Sequence, residues 1–578
     1  MNSQTALPRS RTRILAAIIV LMMAIFAVRL FQLQVLEHNT YARLANNEQM
    51  RQWVKPASRG EIFVMDGDKP MKLVHNETVY TLWADPQVIK DANEVAALVG
   101  KLDDEKLVDN VSERLAKTET RYQILARNVT SREARDIKDA NLYGVGFTPS
   151  ERRFYPEGSL ASQVLGFVNL DGEGQYGVES QLDKELKGTD GLLKTIADVR
   201  NVPLTIGDSN VDIPAIDGKD VVLTIDRNIQ RQAEKLTAEG AKKIGAEYGS
   251  MLVMDPRSGK VLAMANVPTY DPGDLNAVKD IEYLNNRIIS RPYEPASVIK
   301  TVAMATGVDA GVMTPNTTYT NTDRVVIDGW QIQNASKGQT GEIDMQRVLN
   351  WSLNTGTVEM AKWLGGGNIN RQARDTMYSY YHDKFRFGEY SGIELAGEAK
   401  GTLVSPQEVE GNAIRYANMT FGQGMNVTPL QVGAAFSAVI NGGKYCQPTV
   451  VAGEMKNSQF VARESGKCDQ VIKASTSATM REMIHEARQA FYGSSDRKGY
   501  QIGGKTGTAQ AAEDGKYVFS TTEGTYIGFG ATPGEEPAYV ILVTFSKQGK
   551  KIDGQMTIPT FTDMSNWMIE YLKLTPKG

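Results

Sequence analysis

Fifteen consecutive apolar residues, Ile14 to Val28, lie between Arg13 and Arg29. A run of that kind cannot lie exposed on a water-soluble domain. It must sit in lipid, be removed, or be buried in a core. Fifteen residues is short for a membrane span, but the run reaches about 20 if it continues through Leu30, Phe31 and Leu33 to Leu36, with Arg29 snorkelling to the interface. A secretory signal has a similar apolar length. No small-x-small cleavage site follows the run, because Ala24 and Ala27 have the wrong spacing. Arg9, Arg11 and Arg13 hold the N-terminal side in the cytoplasm. The pattern favours an uncleaved, single-pass anchor in the inner or plasma membrane with all later residues extracytoplasmic. A cleaved signal and a buried core helix are the other readings.

The 578 residues are enough for several domains. Hydrophobic residues make up 41% and charged residues 23%, which suits packed cores and excludes disorder or a polytopic membrane protein. With 64 basic against 68 acidic groups, the chain lacks the footprint of a nucleic-acid binder. His38, His75, His382 and His485 are scattered without metal-ligand spacing, and there are only two cysteines. No metal and no cofactor are expected, so the chemistry must come from Ser, Thr, Lys, Asn and carboxylates. Cys446 and Cys468 can pair or stay as structural thiols; sequence does not supply their geometry.

Residues 37–215 read as a mixed, polar, loop-rich module, with a helix over Asn93–Leu102 and a strand over Thr78–Ala84. Gly207, Pro214 and Gly218 mark its end. From 216 the texture changes. Val221–Ile225 reads as a strand, and Asp226 caps a helix whose apolar stripe is Ile229, Ala233, Leu236 and Ile244. Ser250–Met254 and Val261–Ala265 flank the turn Asp255-Pro256-Arg257-Ser258-Gly259 and form a hairpin. Three late strands, Gln501–Thr506, Thr525–Phe529 and Tyr539–Phe545, precede a C-terminal helix with Met564, Trp567, Met568, Tyr571 and Leu572 on one side. Two strands early and three late predict an α/β domain of α+β type. Its antiparallel sheet draws strands from both ends of the domain and is flanked by helices.

Three short patterns carry the chemistry. Ser297-Val298-Ile299-Lys300 opens a helix-prone stretch, Ala296–Val308, where residues three apart share a face and an amine lies beside a hydroxyl. A serine needs a neighbour to take its proton, and a lysine in a dry, positive pocket is neutral enough to do so. Alone the pattern is weak, since a chain this long holds roughly one or two Ser-x-x-Lys matches by chance. Ser495-Asp496-Arg497-Lys498 is a second match, in a polar loop read as surface. Ser352-Leu353-Asn354 lies 55 residues after Ser297, and Lys505-Thr506-Gly507-Thr508 lies 151 residues after Asn354. Lys505 ends a strand preceded by Gly503-Gly504, small residues that let a substrate backbone lie against the strand edge. The Thr506 and Thr508 hydroxyls with the Lys505 charge suit a terminal carboxylate.

In this order the three patterns resemble the motifs of the penicillin-recognising serine acyltransferases, and among them the class B, monofunctional peptidoglycan transpeptidases. Leu223-Thr-Ile-Asp226 with Gln230, Phe421-Gly-Gln-Gly424 and Val427-Thr-Pro-Leu-Gln431 resemble further stretches of the catalytic domain. Arg59-Gly-Glu-Ile62, Arg153-Phe-Tyr-Pro156 and Gly174-x-x-Gly177-x-Glu179 resemble the family's non-catalytic module. The resemblance implies three parts: a tip and anchor over 1–36, a dimerisation or pedestal module over 37–215, and a transpeptidase domain over 216–578. It implies Ser297 as nucleophile, Lys300 as acylation base, Ser352 as proton relay, and Asn354 holding Lys300 and the substrate amide. Lys505, Thr506, Gly507 and Thr508 would bind the carboxylate, with an oxyanion hole from the backbone N–H groups of Ser297 and Thr508. The implied partners are peptidoglycan stem peptides, β-lactams as covalent inhibitors, a membrane glycan polymerase and other division or elongation proteins. The chain departs from the family where Ala296, rather than glycine, precedes Ser297. It departs again at Val298-Ile299, and where Met65-Asp66-Gly67 replaces a longer turn.

Other readings share the motifs. A β-lactamase needs an efficient deacylating water, and the long N-terminal module and uncleaved anchor argue against a small secreted hydrolase. A bifunctional synthase needs a glycosyltransferase ahead of the catalytic domain, where this chain instead resembles the class B module. A D,D-carboxypeptidase differs only in using water as acceptor. A membrane-tethered scaffold or β-lactam sensor could keep the fold without turnover, but the reactive side chains are intact.

Overall fold

The computed structural model describes residues 9–41, 50–169, 171–197, 203–204, 211–464, 466–513 and 516–577; Gly207 lies outside them. The described residues group into two compact units. The first comprises residues up to Ser58 plus Gly188–Gly218, and the second comprises Arg59–Lys187 plus Lys219–Gly578.

In the first unit the arginine-flanked run is helix α1 (Arg9–Phe31). Its apolar side chains are exposed: Val20, Phe26 and Val28 each keep about two-thirds of their surface. The segment Arg11–Leu36 is long and apolar enough to cross a membrane, so lipid is the partner such a surface calls for. The same unit holds a small antiparallel sheet. Strand β1 (Met50–Lys55) pairs with Gly191–Ala197, which also pairs with Val211–Ile213.

The second unit contains two large sheets. In the first, β2 (Ile62–Asp66) and the long β3 (Lys69–Ala84) are antiparallel. Helix α2 (Ala92–Val99) starts where Asp91 accepts hydrogen bonds from the Asn93 and Glu94 amides and stops at Gly100, short of the expected Leu102. Strands β4 (Gln123–Thr130) and β5 (Val145–Phe154) pair with β3. Strand β6 (Asp220–Asp226) then lies parallel to β2, so this sheet runs through residues on both sides of position 215. Asp226 caps α3 (Arg227–Ile244) as expected, and also accepts from the Tyr571 hydroxyl near the C-terminus.

The second sheet is antiparallel throughout. It contains β7 (Tyr248–Met254), β8 (Val261–Val267), β9 (Gln501–Glu513), β10 (Lys516–Ala531) and β11 (Tyr539–Ser546), in the order β8-β7-β11-β10-β9. The early hairpin supplies one edge and the late strand β9 the other. All eight residues of β11 are buried. Its side chains alternate between two cores. Ile541, Val543 and Phe545 face a cluster with Ile229, Met564 and Met568, while Val540 and Leu542 face one with Phe436 and Val439. That two-sided apolar strand requires helices on both faces. They are α3 and the C-terminal helix (Ile558–Tyr571) on one, and Pro429–Ile440 on the other. Each fully buried aliphatic side chain contributes about 1.5–3 kcal/mol.

Cys446 and Cys468 face each other across a short antiparallel pair and are joined by a disulfide.

Candidate active site

Ser297 sits on a 3₁₀ turn, Ala296–Ile299, that runs into α4 (Lys300–Asp309), so the predicted helix begins one turn later than the periodicity suggests. Val298 and Ile299 are buried, which leaves Ser297 half-buried and turned away from the core. The turn is held from behind. The Ala296 N–H donates to Gly422 O at 3.0 Å, and Ala296 has a left-handed φ of 51°. Gly422 makes the approach possible, since a Cβ there would lie 2.1 Å from Ala296 O. The departure from the family's glycine therefore falls on a backbone conformation that favours glycine.

The Lys300 side chain has no exposed surface. Its Nζ donates to Ser352 O at 2.6 Å and to Asn354 Oδ1 at 2.8 Å, with Ser352 Oγ at 3.2 Å. The expected partner was the Ser297 hydroxyl. Among the described hydrogen bonds, the amine's partners all come from the second motif. Ser352 also has a left-handed φ, 56°, on the link between Met345–Asn350 and α5 (Asn354–Leu364). Such backbone costs of order 1–3 kcal/mol and tends to occur at functional sites. Asn354 Nδ2 donates to Gln333 O at 2.8 Å.

Lys505 to Thr508 lie on the sheet-edge strand β9. Gly507 lets this strand close on the turn: a Cβ there would lie 3.0 Å from Pro295 O and 3.1 Å from Val298 Cγ1. Gly503 and Gly504 were expected to make room for substrate. The space a Cβ would need at each is taken by the Phe529 and Tyr526 rings of β10, although Gly504 also lines the groove. The Thr508 hydroxyl accepts from Gly554 N at 2.9 Å.

These elements enclose a groove of about 530 Å³. Ser297, Ser352, Asn354, Lys505, Thr506 and Thr508 line it; Lys300 lies beneath, and Gly507 packs against the turn. Among its lining residues only Lys505 and Asp553 carry charge. Burial lowers the Lys505 amine to about 7. Burial, and then the neighbouring Lys505, push Lys300 well below the ordinary lysine range. The arrangement is a groove-lining hydroxyl, a buried amine whose surroundings favour its neutral form, and a second amine poised near neutrality. It suits attack on an acyl carbon whose substrate also carries an anion. Among the described residues no three His, Cys, Asp or Glu side chains converge to hold a metal ion.

Two sets of supporting residues carried no signal in the sequence. Arg488 is fully buried, paired with Asp496, and donates to the Tyr526 hydroxyl at 2.7 Å on the groove wall. Asp496 lies in the loop read as surface. Ser495 and Lys498 are indeed exposed, but the Asp496 carboxylate is not. Asn321, Asn334 and Thr355 form a buried polar cluster next to Asn354. No spacing rule links such residues; only the folded loops bring them together.

The model of the penicillin binding protein transpeptidase domain matches residues 249–565, and that of the penicillin-binding protein dimerisation domain matches residues 54–223. Stage V sporulation protein D of Bacillus subtilis (strain 168) is 29% identical over 543 residues, covering 91% of this chain and 79% of that protein. Peptidoglycan D,D-transpeptidase FtsI of Escherichia coli (strain K12) is 27% identical over 587 residues, covering 98% of this chain and 92% of that protein. The crystal structure of penicillin binding protein 3 from Mycobacterium tuberculosis, complexed with aztreonam, shares the fold. Its TM-score is 0.67 at 24% identity, covering 91% of this chain and 98% of that one.

Proposed function

This chain is a class B member of the penicillin-binding protein transpeptidase family and a peptidoglycan D,D-transpeptidase, and from that premise we propose which residues perform the reaction. Ser297 Oγ attacks the penultimate D-Ala carbonyl carbon of a stem peptide, and its proton passes to Lys300 Nζ. The new C–O bond gives a tetrahedral oxyanion facing the backbone N–H groups of Ser297 and Thr508. Collapse breaks the peptide C–N bond. The departing D-Ala nitrogen takes a proton from Lys300 through the Ser352 hydroxyl, which leaves an acyl-Ser297. An amine of a neighbouring stem peptide then attacks that ester and gives up a proton by the reverse route. It forms the cross-linking amide and restores the Ser297 hydroxyl. Lys505, Thr506 and Thr508, with Gly507 between them, hold the terminal carboxylate.

The observation that best supports these roles is the placement of the Lys300 amine. It is buried, bonded to Ser352 and Asn354, and lies beneath the groove that Ser297 and Lys505 line. A lysine kept neutral can accept a proton that an exposed lysine cannot. β-Lactams, which present an acyl carbon beside an anion, acylate the same serine.

We assign residues 1–36 to a cytoplasmic tip and single-pass anchor, 37–215 to the dimerisation or pedestal module, and 216–578 to the transpeptidase domain. The arginines at 9, 11 and 13 support a cytoplasmic N-terminus with the groove outside the cell. Protein partners on this reading are a membrane glycan polymerase and other division or elongation proteins.

Labelling with a fluorescent penicillin followed by peptide mapping tests the assignment. The adduct is expected on Ser297 and is lost in Ser297→Ala with an unchanged melting temperature. An adduct that persists in that variant and maps to Ser495 would overturn it.

A further inference from the structure

Asn354 is held at two points by a neighbouring dipeptide. Its Nδ2 donates to the Gln333 main-chain carbonyl at 2.8 Å. The next residue, Thr355, donates its main-chain N–H to Asn334 Oδ1 at 3.0 Å. That N–H is one of the unsatisfied amides at the start of α5, and Leu353 at the helix N-cap offers no side-chain acceptor. Asn334 thus caps the helix from 21 residues away.

Asn334 is itself fixed. It is 3% exposed, and its N–H donates to Asp323 O. Its Nδ2 reaches Asn321 Oδ1 at 3.2 Å and Asp323 Oδ1 at 3.1 Å. The Thr355 hydroxyl bonds Asn321 Oδ1 and Asn334 Oδ1. Asn321 is buried too, and its Nδ2 donates to Gln339 O at 2.6 Å. A cluster with this many partners has few alternative arrangements.

The clamp decides which end of the Asn354 amide faces the base. Gln333 O can only accept, so the amide nitrogen must turn toward it and the oxygen toward Lys300. A neutral lysine has two N–H donors and one lone pair. Ser352 O and Asn354 Oδ1 are both acceptors, and they take the two N–H bonds. The lone pair is left for a hydroxyl proton. With the amide reversed, Nδ2 would donate into that lone pair and block it.

We propose that Asn334 is a positioning residue for the acylation base: with the Gln333 carbonyl it clamps Asn354–Thr355, so that the Asn354 amide offers Lys300 an acceptor and leaves the amine's lone pair free for a serine proton. The proposal rests on the roles given above to Lys300 and Asn354.

The test is the pH dependence of the acylation rate constant, measured with a fluorescent penicillin on the full chain in detergent. Among the described residues the one charged group acting on Lys300 is Lys505 on β9. Ser297 on its own turn and the 352–354 link bring neutral groups only. Asn334→Ala is expected to slow the plateau by at least roughly 10-fold, as small displacements of a reacting group do. It should also move the acid limb to lower pH, because an N–H turned toward Lys300 disfavours its protonated form. In an Asn354→Ala background it should slow acylation no further. Asn334→Asp keeps the acceptor, so its acid limb should not fall. An unmoved limb in Asn334→Ala, full additivity with Asn354→Ala, or a lowered limb in Asn334→Asp would each overturn the clamp. The last holds even if the alanine variant does not fold. Error in the underlying assignment shows separately: Ser297→Ala would keep its label, and Asn354→Ala would acylate at the normal rate.

Discussion

Lys300 Nζ lies 2.8 Å from Asn354 Oδ1, across 54 residues of chain. One residue leaves a 3₁₀ turn and the other opens a helix, so the contact ties two independent elements to a single amine. An amine without exposed surface must have partners, since an unsatisfied buried donor costs about 1–3 kcal/mol. Here those partners are the residues on the far side of the groove.

Replacing that amine separates chemistry from stability. Lys300→Met keeps the stem and removes the amine, but leaves Ser352 O and Asn354 Oδ1 without their donor. Removing a buried ionisable group offsets part of that loss. Stability should change by less than about 3 kcal/mol. Acylation should fall by at least roughly 10³-fold, the scale of losing the base in a nucleophile–base pair. Melting curves and labelling rates measure the two effects on one sample.

The two lysines predict a bell-shaped pH profile. Lys300 must be neutral, so the rate rises with pH through its lowered pKa. Lys505 must be cationic to hold a carboxylate, so the rate falls as pH passes about 7. Lys505→Ala should remove the basic limb. It should also shift the acid limb upward, because the positive neighbour that depresses Lys300 is gone. The rate at the optimum should drop by roughly 10–100-fold, the worth of one charge-assisted contact. Rate constants for acylation between pH 5 and 9 would show both movements.

Gly422 supports the turn that carries Ser297. A methyl group there would meet Ala296 O at 2.1 Å, and both atoms belong to backbone, so the turn must shift. Gly422→Ala should cost more than about 3 kcal/mol and abolish labelling in whatever fraction folds. Ala296→Gly is the contrast. It relieves a left-handed φ but loses a buried methyl and adds chain entropy, so stability should move by less than about 1 kcal/mol. Calorimetry on the two variants distinguishes them.

Asp496 neutralises an arginine that has no exposed side chain. Asp496→Ala should cost about 3–5 kcal/mol, because it leaves a buried charge uncompensated. Replacing the pair together, Arg488→Met with Asp496→Leu, should recover most of that loss. Denaturant unfolding of the single and double variants checks both figures.

Much of the catalytic sheet could be read in the sequence because its signals are local. The short apolar runs Ser250–Met254 and Tyr539–Phe545 need no knowledge of distant residues, and Asp226 announces its helix by capping chemistry. The reactive side chains fall in compact motifs for the same reason. The supporting residues do not. Asn334 meets Thr355 only after a hairpin, Arg324–Ile327 with Trp330–Gln333, folds back beside α5. Asp496 looked like surface because polar loop residues normally are, and only the buried Arg488 explains it. Of the 16-residue strand β3, only Thr78–Ala84 was legible; the earlier part is too polar to show a strand period. The pairing of Cys446 with Cys468 depends on strand register, which spacing does not encode.

The most direct test gives the purified full chain a stem-peptide thioester, with and without an amine acceptor, and weighs the products. The account predicts an acyl adduct on Ser297 and, with acceptor present, a cross-linked amide whose yield rises with amine concentration. Hydrolysed donor as the sole product at every amine concentration would contradict it and point to a carboxypeptidase.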